Sequence, residues 1–346
     1  MSDLASREHE PDSLILRAAP YVSRSLTTPR LMTEVLIALV PVVAAAVVFF
    51  GPSALLVLAA STLGSVLAEW AFGGRRGFAA AFRDGSAPLT GLLLGLTLPP
   101  AIPLWMAVLG GAVAIALGKT VFGGLGQNVF NPALVGRAFL QAAFPTVLTT
   151  WSPPAGEATP WLAWRATNFA FPFLSRPGVD AVTAATPLSL AKFQGVTTAV
   201  PSLLSGHTAG SLGETSAGLL LLLGLVMAVR RLFDWRIPLA ILLAVAAFGG
   251  LLHVLLPARC PSPLFLLFSG GLLLGAVFMA TDPVTSPVTP RGAWVFGAGI
   301  GVLVVLIRLF GGLPEGVMYA VLLMNAMVPH VDRWTQPRPF GRGRAA

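Results

Sequence analysis

The stretch Val179-Asp180-Ala181-Val182-Thr183-Ala184-Ala185-Thr186-Pro187-Leu188 sets two hydroxyls and one carboxylate among small residues. Pro187 biases Thr186 toward an extended backbone, which would present its hydroxyl to an incoming group. On residue types alone, the alternative is an ordinary turn threonine. Asn128 and Asn131 stand three apart, a spacing that puts two amides on one helix face, where they could hydrogen-bond the polar edge of a planar ring. The glycines before them would let such a ring approach the backbone closely. The competing reading has Asn128 capping the helix and Asn131, ahead of Pro132, stabilising a turn. Glu69, Lys119, Arg137, His253, Asp282 and Arg308 are ionisable groups in or beside apolar runs. Charge inside a membrane defaults to function, but most of these lie near predicted helix ends, where a long side chain can reach the interface. Arg137 is mid-helix and needs an anionic or carbonyl partner. Asp282 sits in a Thr-Asp-Pro turn and reads equally as a cap or an ion ligand, and His253 reads as packed. The single cysteine, Cys260, excludes a disulfide within the chain, a cysteine-ligated iron–sulfur cluster and a structural zinc, and reads as a buried or interfacial thiol. No general acid, nucleophile or metal set is apparent.

The elements that must position these residues are membrane helices. The chain has 346 residues, 55% hydrophobic and only 10% charged, against roughly 25% charged in a soluble domain. A net charge of +8 sits between apolar runs, without the basic runs or stacked aromatics that would suggest RNA or DNA. At about 20 apolar residues per crossing, ten spans are predicted: 33–51, 53–72, 86–99, 101–118, 128–145, 216–232, 236–256, 263–281, 292–310 and 313–329. The third is short and ends at Pro99-Pro100, as a broken or half-crossing helix would. The fold class is therefore all-α and polytopic. The expected organisation is a cytoplasmic segment 1–32, a first bundle half 33–145, a periplasmic loop 146–215, a second half 216–329 and a basic cytoplasmic tail 330–346. Residues 1–30 hold no apolar core of a cleavable signal, so the first span is the expected insertion signal. With both termini inside, sixteen lysines and arginines fall on the cytoplasmic side and five outside: Arg165, Arg176, Lys192, Arg259 and Arg308. That bias sets the orientation to an inner membrane, and only the short loops around Arg259 and Arg308 break it. Gly91-Leu92-Leu93-Leu94-Gly95 recurs as Gly271-Leu272-Leu273-Leu274-Gly275, and Phe122-Gly123-Gly124-Leu125 as Phe310-Gly311-Gly312-Leu313. Two inverted five-helix repeats would produce this; close helix packing through Gly-x-x-x-Gly would too.

The segment around Thr186 resembles the recognition site at which a flavin transferase attaches FMN to threonine, Asp-x-x-Ser/Thr-Gly-Ala-Thr. Asp180, Thr183, Ala185 and Thr186 match it, and Ala184 stands where the pattern has Gly. Four further runs resemble the D subunit of the Rnf electron-transport complex. They are Thr90 to Pro100 (TGLLLGLTLPP), Phe122 to Ala133 (FGGLGQNVFNPA), Phe278 to Pro287 (FMATDPVTSP), and Gly311 to Gly316 (GGLPEG) with Leu323-Met324-Asn325 after it. The likeness runs from about residue 20 to the C-terminus, and the B subunit of the sodium-pumping NADH:quinone oxidoreductase is the close relative. The resemblance implies a phosphoester from Thr186 to FMN, and a second flavin, riboflavin or similar, held without a covalent bond. Asn128 and Asn131 match positions that contact riboflavin in that B subunit, and Arg137 would stabilise a reduced, anionic flavin. It further implies Rnf partners A, B, C, E and G, the flavin-bearing G subunit above all, the transferase, and surrounding lipid. The implied function is electron relay between a periplasmic and an intramembrane flavin, coupled to Na⁺ or H⁺ movement, as part of a ferredoxin:NAD oxidoreductase with no self-contained active site in this chain. In a nitrogen-fixing organism the complex would run in reverse. The rival reading is a secondary transporter or channel without a redox cofactor, to which the broken third helix and the intramembrane polar groups also belong. A third is a structural anchor.

Overall fold

The computed structural model describes residues 27–73, 82, 84–154, 166–172, 184–214, 216–257 and 259–337. Among these, regular structure is helical, apart from one antiparallel bridge between Trp151 and Ala184. The first set of helices is α1 (Thr28–Phe50), α2 (Pro52–Phe72), α3 (Ser86–Leu96), α4 (Leu104–Ile115, widening through Ala116–Thr120) and α5 (Pro132–Ala143). After single helical turns at Pro145–Leu148 and Ala166–Phe169 come two more short helices, α6 (Pro187–Ser189, widening through Leu190–Gln194) and α7 (Val200–Ser205). The second set is α8 (Ala217–Val229), α9 (Arg236–Leu255), α10 (Pro263–Phe268), α11 (Leu272–Leu274, continuing through Gly275–Met279), α12 (Pro290–Phe310) and α13 (Val317–Thr335).

Local sequence explains the starts. Proline occupies the first turn of α1, α2, α5, α6, α7, α10 and α12, where its missing N–H costs nothing and its φ is already helical. Asn131, Ser216, Ser262 and Thr289 cap α5, α8, α10 and α12 with side-chain oxygens. Four helices, α1, α2, α9 and α12, are each long and apolar enough to cross a bilayer. Helices α3, α4 and α8 are apolar but shorter. Val40, Val48, Val229 and Val254 are 61–78% exposed on the outside of the bundle, which water would not tolerate on this scale and lipid does. The protein is an all-α, polytopic membrane protein.

The ends and breaks depart from the sequence expectation in informative ways. Helix α3 stops at Leu96, after 11 residues and about 16 Å, roughly half of a hydrocarbon core, as Pro99-Pro100 suggested. The expected continuous span 263–281 is instead two half-helices, because Ser269, Gly270 (φ +65°) and Gly271 turn the chain between α10 and α11. The expected span 128–145 is helical only from Pro132 to Ala143, so Asn128 and Asn131 precede α5 rather than share a helix face. The last helix runs on to Thr335, past the expected boundary at 329, and contains Pro329. The end of the 146–215 segment folds inward. The Leu212 N–H donates to Leu98 O (3.1 Å) and the Gly213 N–H to Leu96 O (2.7 Å), so irregular backbone is buried in protein and its amides are paired.

The two most extensive helix pairs are α2 with α4 and α9 with α12, the second and fourth members of each set when α10 and α11 are taken as one interrupted helix. Both cross through glycine. A Cβ on Gly64 would run into the Val108 carbonyl, and one on Gly297 would lie 2.6 Å from Ile237 O. Gly64→Leu is therefore expected to destroy the folded protein, because the clash is with backbone; overpacking costs about 1–3 kcal/mol even where side chains can yield. Gly312→Leu, with nothing within 4 Å of where its Cβ would stand, is expected to leave a monodisperse peak in fluorescence-detected size-exclusion chromatography.

Candidate functional site

Buried charge is concentrated at the helix breaks. Arg308, 3% exposed in the last turn of α12, donates from Nη1 to Leu266 O (2.6 Å) and from Nη2 to Ser269 O (2.9 Å). These are the carbonyls left unpaired at the C-terminal end of α10. Arg308 Nη2 also lies 3.5 Å from Glu315 Oε1. Glu315 in turn accepts from Gly271 N–H (3.1 Å), at the start of α11, and from Gly316 and Val317 N–H (both 3.2 Å), at the start of α13. Each charge faces the helix end of opposite sign. Across the same space, Arg137 on α5 is buried and donates from Nη1 to Thr97 O, the C-terminal carbonyl of α3. Neither arginine snorkels; the sequence expectation for Arg308 fails because free carbonyls are closer than the interface.

Glu214 completes this group. A Cβ on Gly271 would lie 2.7 Å from its Oε1, so its carboxylate presses on the break that Glu315 reaches from the other side. Burial first, and then Glu315, push the Glu214 carboxyl above the ordinary carboxylate range, against the pull of Arg137. Arg137, Glu214, Glu315 and Thr186 line one cavity. The extended backbone foreseen for Thr186 is present (φ −70°, ψ 155°), and its Oγ1 caps α6 by accepting from Ser189 N–H at 3.2 Å. The bridge in which Ala184 N–H donates to Trp151 O (2.8 Å) anchors the chain just before it. Asp180 and Thr183 lie outside the described residues.

A second cavity opens among α1, α3, the segment before α5, and α11. Asn128, Asn131, Lys119, Phe278, Thr281 and Asp282 are among its walls. The two asparagines differ in kind. Asn131 has both amide atoms engaged: its Oδ1 caps α5 at Ala133 N–H (3.0 Å) and Leu134 N–H (3.4 Å), and its Nδ2 donates to Met279 O (3.1 Å). Asn128 donates to Phe130 O (3.3 Å), but its Oδ1 is buried without a partner, and such an atom costs about 1–3 kcal/mol unless something fills the need. Arg137 belongs to the other cavity, so the four described residues among those singled out from sequence divide between two places, Thr186 with Arg137 and Asn128 with Asn131.

Sequence reasoning missed Glu214 and Glu315 and undervalued Lys119. Lys119, 3% exposed, donates to both Glu69 oxygens (2.9 Å each) and to Ser86 Oγ (2.7 Å), with Asp84 at 3.8 Å. It ties α2, α3 and α4 together at the mouth of the second cavity instead of reaching for the interface. His253 is packed, its Nδ1 2.7 Å from Cys260 O, and Cys260 is buried. Asp282 Oδ1 and Oδ2 accept from Val284 N–H (3.3 Å) and Thr285 Oγ1 (3.2 Å), which makes it a turn residue on the cavity wall.

Broken helices whose ends carry buried charge, with two polar-edged cavities between them, mark a multi-pass membrane protein whose interior is built around interrupted helices. Comparison with known sequences narrows the class. Residues 15–341 match the NQR2, RnfD, RnfE family, and the chain belongs to it. It is 39% identical to the D subunit of the proton-translocating ferredoxin:NAD(+) oxidoreductase complex of Clostridium ljungdahlii, over 99% of this chain and 100% of that one. It is 39% identical to the D subunit of the ion-translocating oxidoreductase complex of Halorhodospira halophila, over 95% of this chain and 96% of that one, and 47% identical to that of Stutzerimonas stutzeri, over 75% and 76%.

Removing Glu315 leaves Arg308 buried without its carboxylate and frees three N–H groups. Glu315→Ala is expected to destabilise the protein by about 3–5 kcal/mol. Arg230→Gln breaks a pair between half-exposed Arg230 and partly buried Glu34 (2.8 Å) but leaves no buried cation behind, and should cost about 1 kcal/mol. Unfolding in mixed micelles compares the two.

Proposed function

We propose that this chain is the flavin-carrying membrane subunit of an ion-translocating ferredoxin:NAD oxidoreductase of the Rnf type. It relays electrons between flavin on the extracytoplasmic side and flavin within its own helices. The observation that carries this reading is the meeting of Thr186 with Arg137 in one cavity, given that Thr186 ends a segment resembling a flavin-transferase site. The scaffold we infer is ten spans in an inner membrane, arranged as two inverted five-helix halves with both termini cytoplasmic. The equivalent α2–α4 and α9–α12 crossings and the two Phe-Gly-Gly-Leu turns ahead of α5 and α13 support that arrangement.

The residues fit the two groups the family implies. A phosphoester oxygen on Thr186 keeps the lone pairs that cap Ser189 N–H, so modification leaves α6 capped. Thr186 would hold FMN at the rim of the cavity, and Asn128 would give its unpaired Oδ1 to a ring N–H of the second, non-covalent flavin. Bound flavin supplies one- and two-electron transfer, which no side chain here can. Arg137 keeps a fixed positive charge beside Thr186 that favours added negative charge nearby. Lys119 and Asn131 hold the walls of the second cavity through the bonds already described. Coupling to Na⁺ or H⁺, contact with the A, B, C, E and G subunits, and modification by the transferase belong to the same proposal.

Expressed with the transferase, the wild-type protein should give a flavin-fluorescent band on a denaturing gel, and Thr186→Ala should give a dark one. A dark wild-type band would favour a transporter or channel instead. Asn128→Leu should keep the fluorescent band while non-covalent flavin in an acid extract of the native protein falls about tenfold, the expectation for one lost hydrogen bond to a buried partner.

A further inference from the structure

Charge counting places few cations on the outer side, and the short loops that break the bias are those of Arg259 and Arg308. The structure brings these two together with a third outer cation, Lys192, around a single cavity of about 440 Å³. Among the described residues, no carboxylate lines it. Its remaining walls are largely apolar and include Leu188, Phe265 and Leu309. It lies at helix ends: Arg308 is in the last turn of α12, Arg259 is in the turn between α9 and α10, and Lys192 is in the last turn of the helix that Thr186 caps. Exposed apolar side chains flank it along the chain, with Phe193 67%, Val254 78% and Leu264 54% exposed.

Lys192 and Arg259 pair with no acid among the described residues, whereas Arg308 faces Glu315 at 3.5 Å and keeps one N–H unspent. Lys192 Nζ donates to Gly311 O and, at 3.0 Å, to Leu313 O, which leaves one N–H. Arg308 Nε is buried without a partner. The exposed Arg259 side chain has no hydrogen-bond or ion-pair partner among the described residues. A recess at helix ends, lined by three cationic side chains and apolar walls, matches a molecule carrying phosphate at one end and hydrocarbon at the other.

We propose that this cavity binds the headgroup phosphate of an anionic phospholipid, with the acyl chains lying against the exposed apolar side chains beside it. Lys192 and Leu188 lie on the helix that begins at Thr186, so the bound lipid would fix that helix against α10 and α12. The site does not depend on whether Thr186 carries a flavin.

The test is native mass spectrometry of the purified full chain in detergent, with phosphatidylglycerol or phosphatidylcholine of matched acyl chains added. Wild type should retain phosphatidylglycerol in preference to phosphatidylcholine. Arg259→Gln should lose phosphatidylglycerol affinity about tenfold, the effect of one charge-assisted contact. Arg333→Gln, which removes the same charge from the exposed end of α13, should not. Equal retention of the two lipids, equal loss in the two variants, or displacement of the lipid by inorganic phosphate alone would each overturn the proposal. Arg259 supports no other described contact through its side chain, so its replacement leaves the fold in place.

Discussion

Arg308 and Glu315 allow a membrane helix to stop halfway. A helix interrupted inside a bilayer exposes carbonyls at one broken end and N–H groups at the other, and lipid can satisfy neither. Here the guanidinium takes Leu266 O and Ser269 O from the C-terminal end of α10, and the carboxylate takes Gly271 N–H from the start of α11. The dipoles of the two half-helices favour the same signs. The pair is weak as an isolated contact, at 3.5 Å, but each partner is held mainly by backbone. The desolvation of both charges is thus offset by several hydrogen bonds rather than by one ion pair.

The rest of the interior follows from that break. Because the chain turns at Ser269–Gly271, room remains for Glu214, and because α3 also stops short, Arg137 has a carbonyl to hold at Thr97. The 146–215 segment then has a reason to fold inward: its Leu212 and Gly213 N–H groups find the carbonyls of Leu98 and Leu96 near the same broken end. Thr186 is delivered to this place by chain geometry, between the bridge at Ala184 and the cap of α6.

Membrane class, most helix positions and the break after Leu96 could be read from sequence because apolar length and proline dictate them locally. The second break could not, because Leu272-Leu273-Leu274 continues the apolar run and only Gly270-Gly271 marks the turn. Glycine pairs also occur inside intact helices, as Gly249-Gly250 does in α9. Arg137 stood out as mid-helix and in need of a carbonyl, and it has one. Lys119 and Arg308 were misjudged as snorkelling, since position near a helix end does not reveal a partner 50 residues away for Lys119 or 42 for Arg308. Asn128 and Asn131 looked equivalent at a spacing of three. Pro132 separates them by starting the helix, so that one becomes its cap and the other keeps a free oxygen.

Helix α5 contributes to both cavities, Ala133 to that of Asn128 and Arg137 to that of Thr186, and a third, smaller cavity lies beside Arg137 and Glu214. Helix α11 gives Val277 and Phe278 to the cavity of Asn128, and Leu274 and Met279 to the space beside Arg137 and Glu214. Helix α5 spans the same interval. Asn131 sits at its start, bonded to Met279 O, and Arg137 lies six residues on, about 9 Å along the axis. A short half-helix and a capped helix, pinned to each other at one end and to α3 at the other, make a stiff partition. Groups bound on either side of it would be held at a separation set by these two helices, as transfer of electrons between them would need.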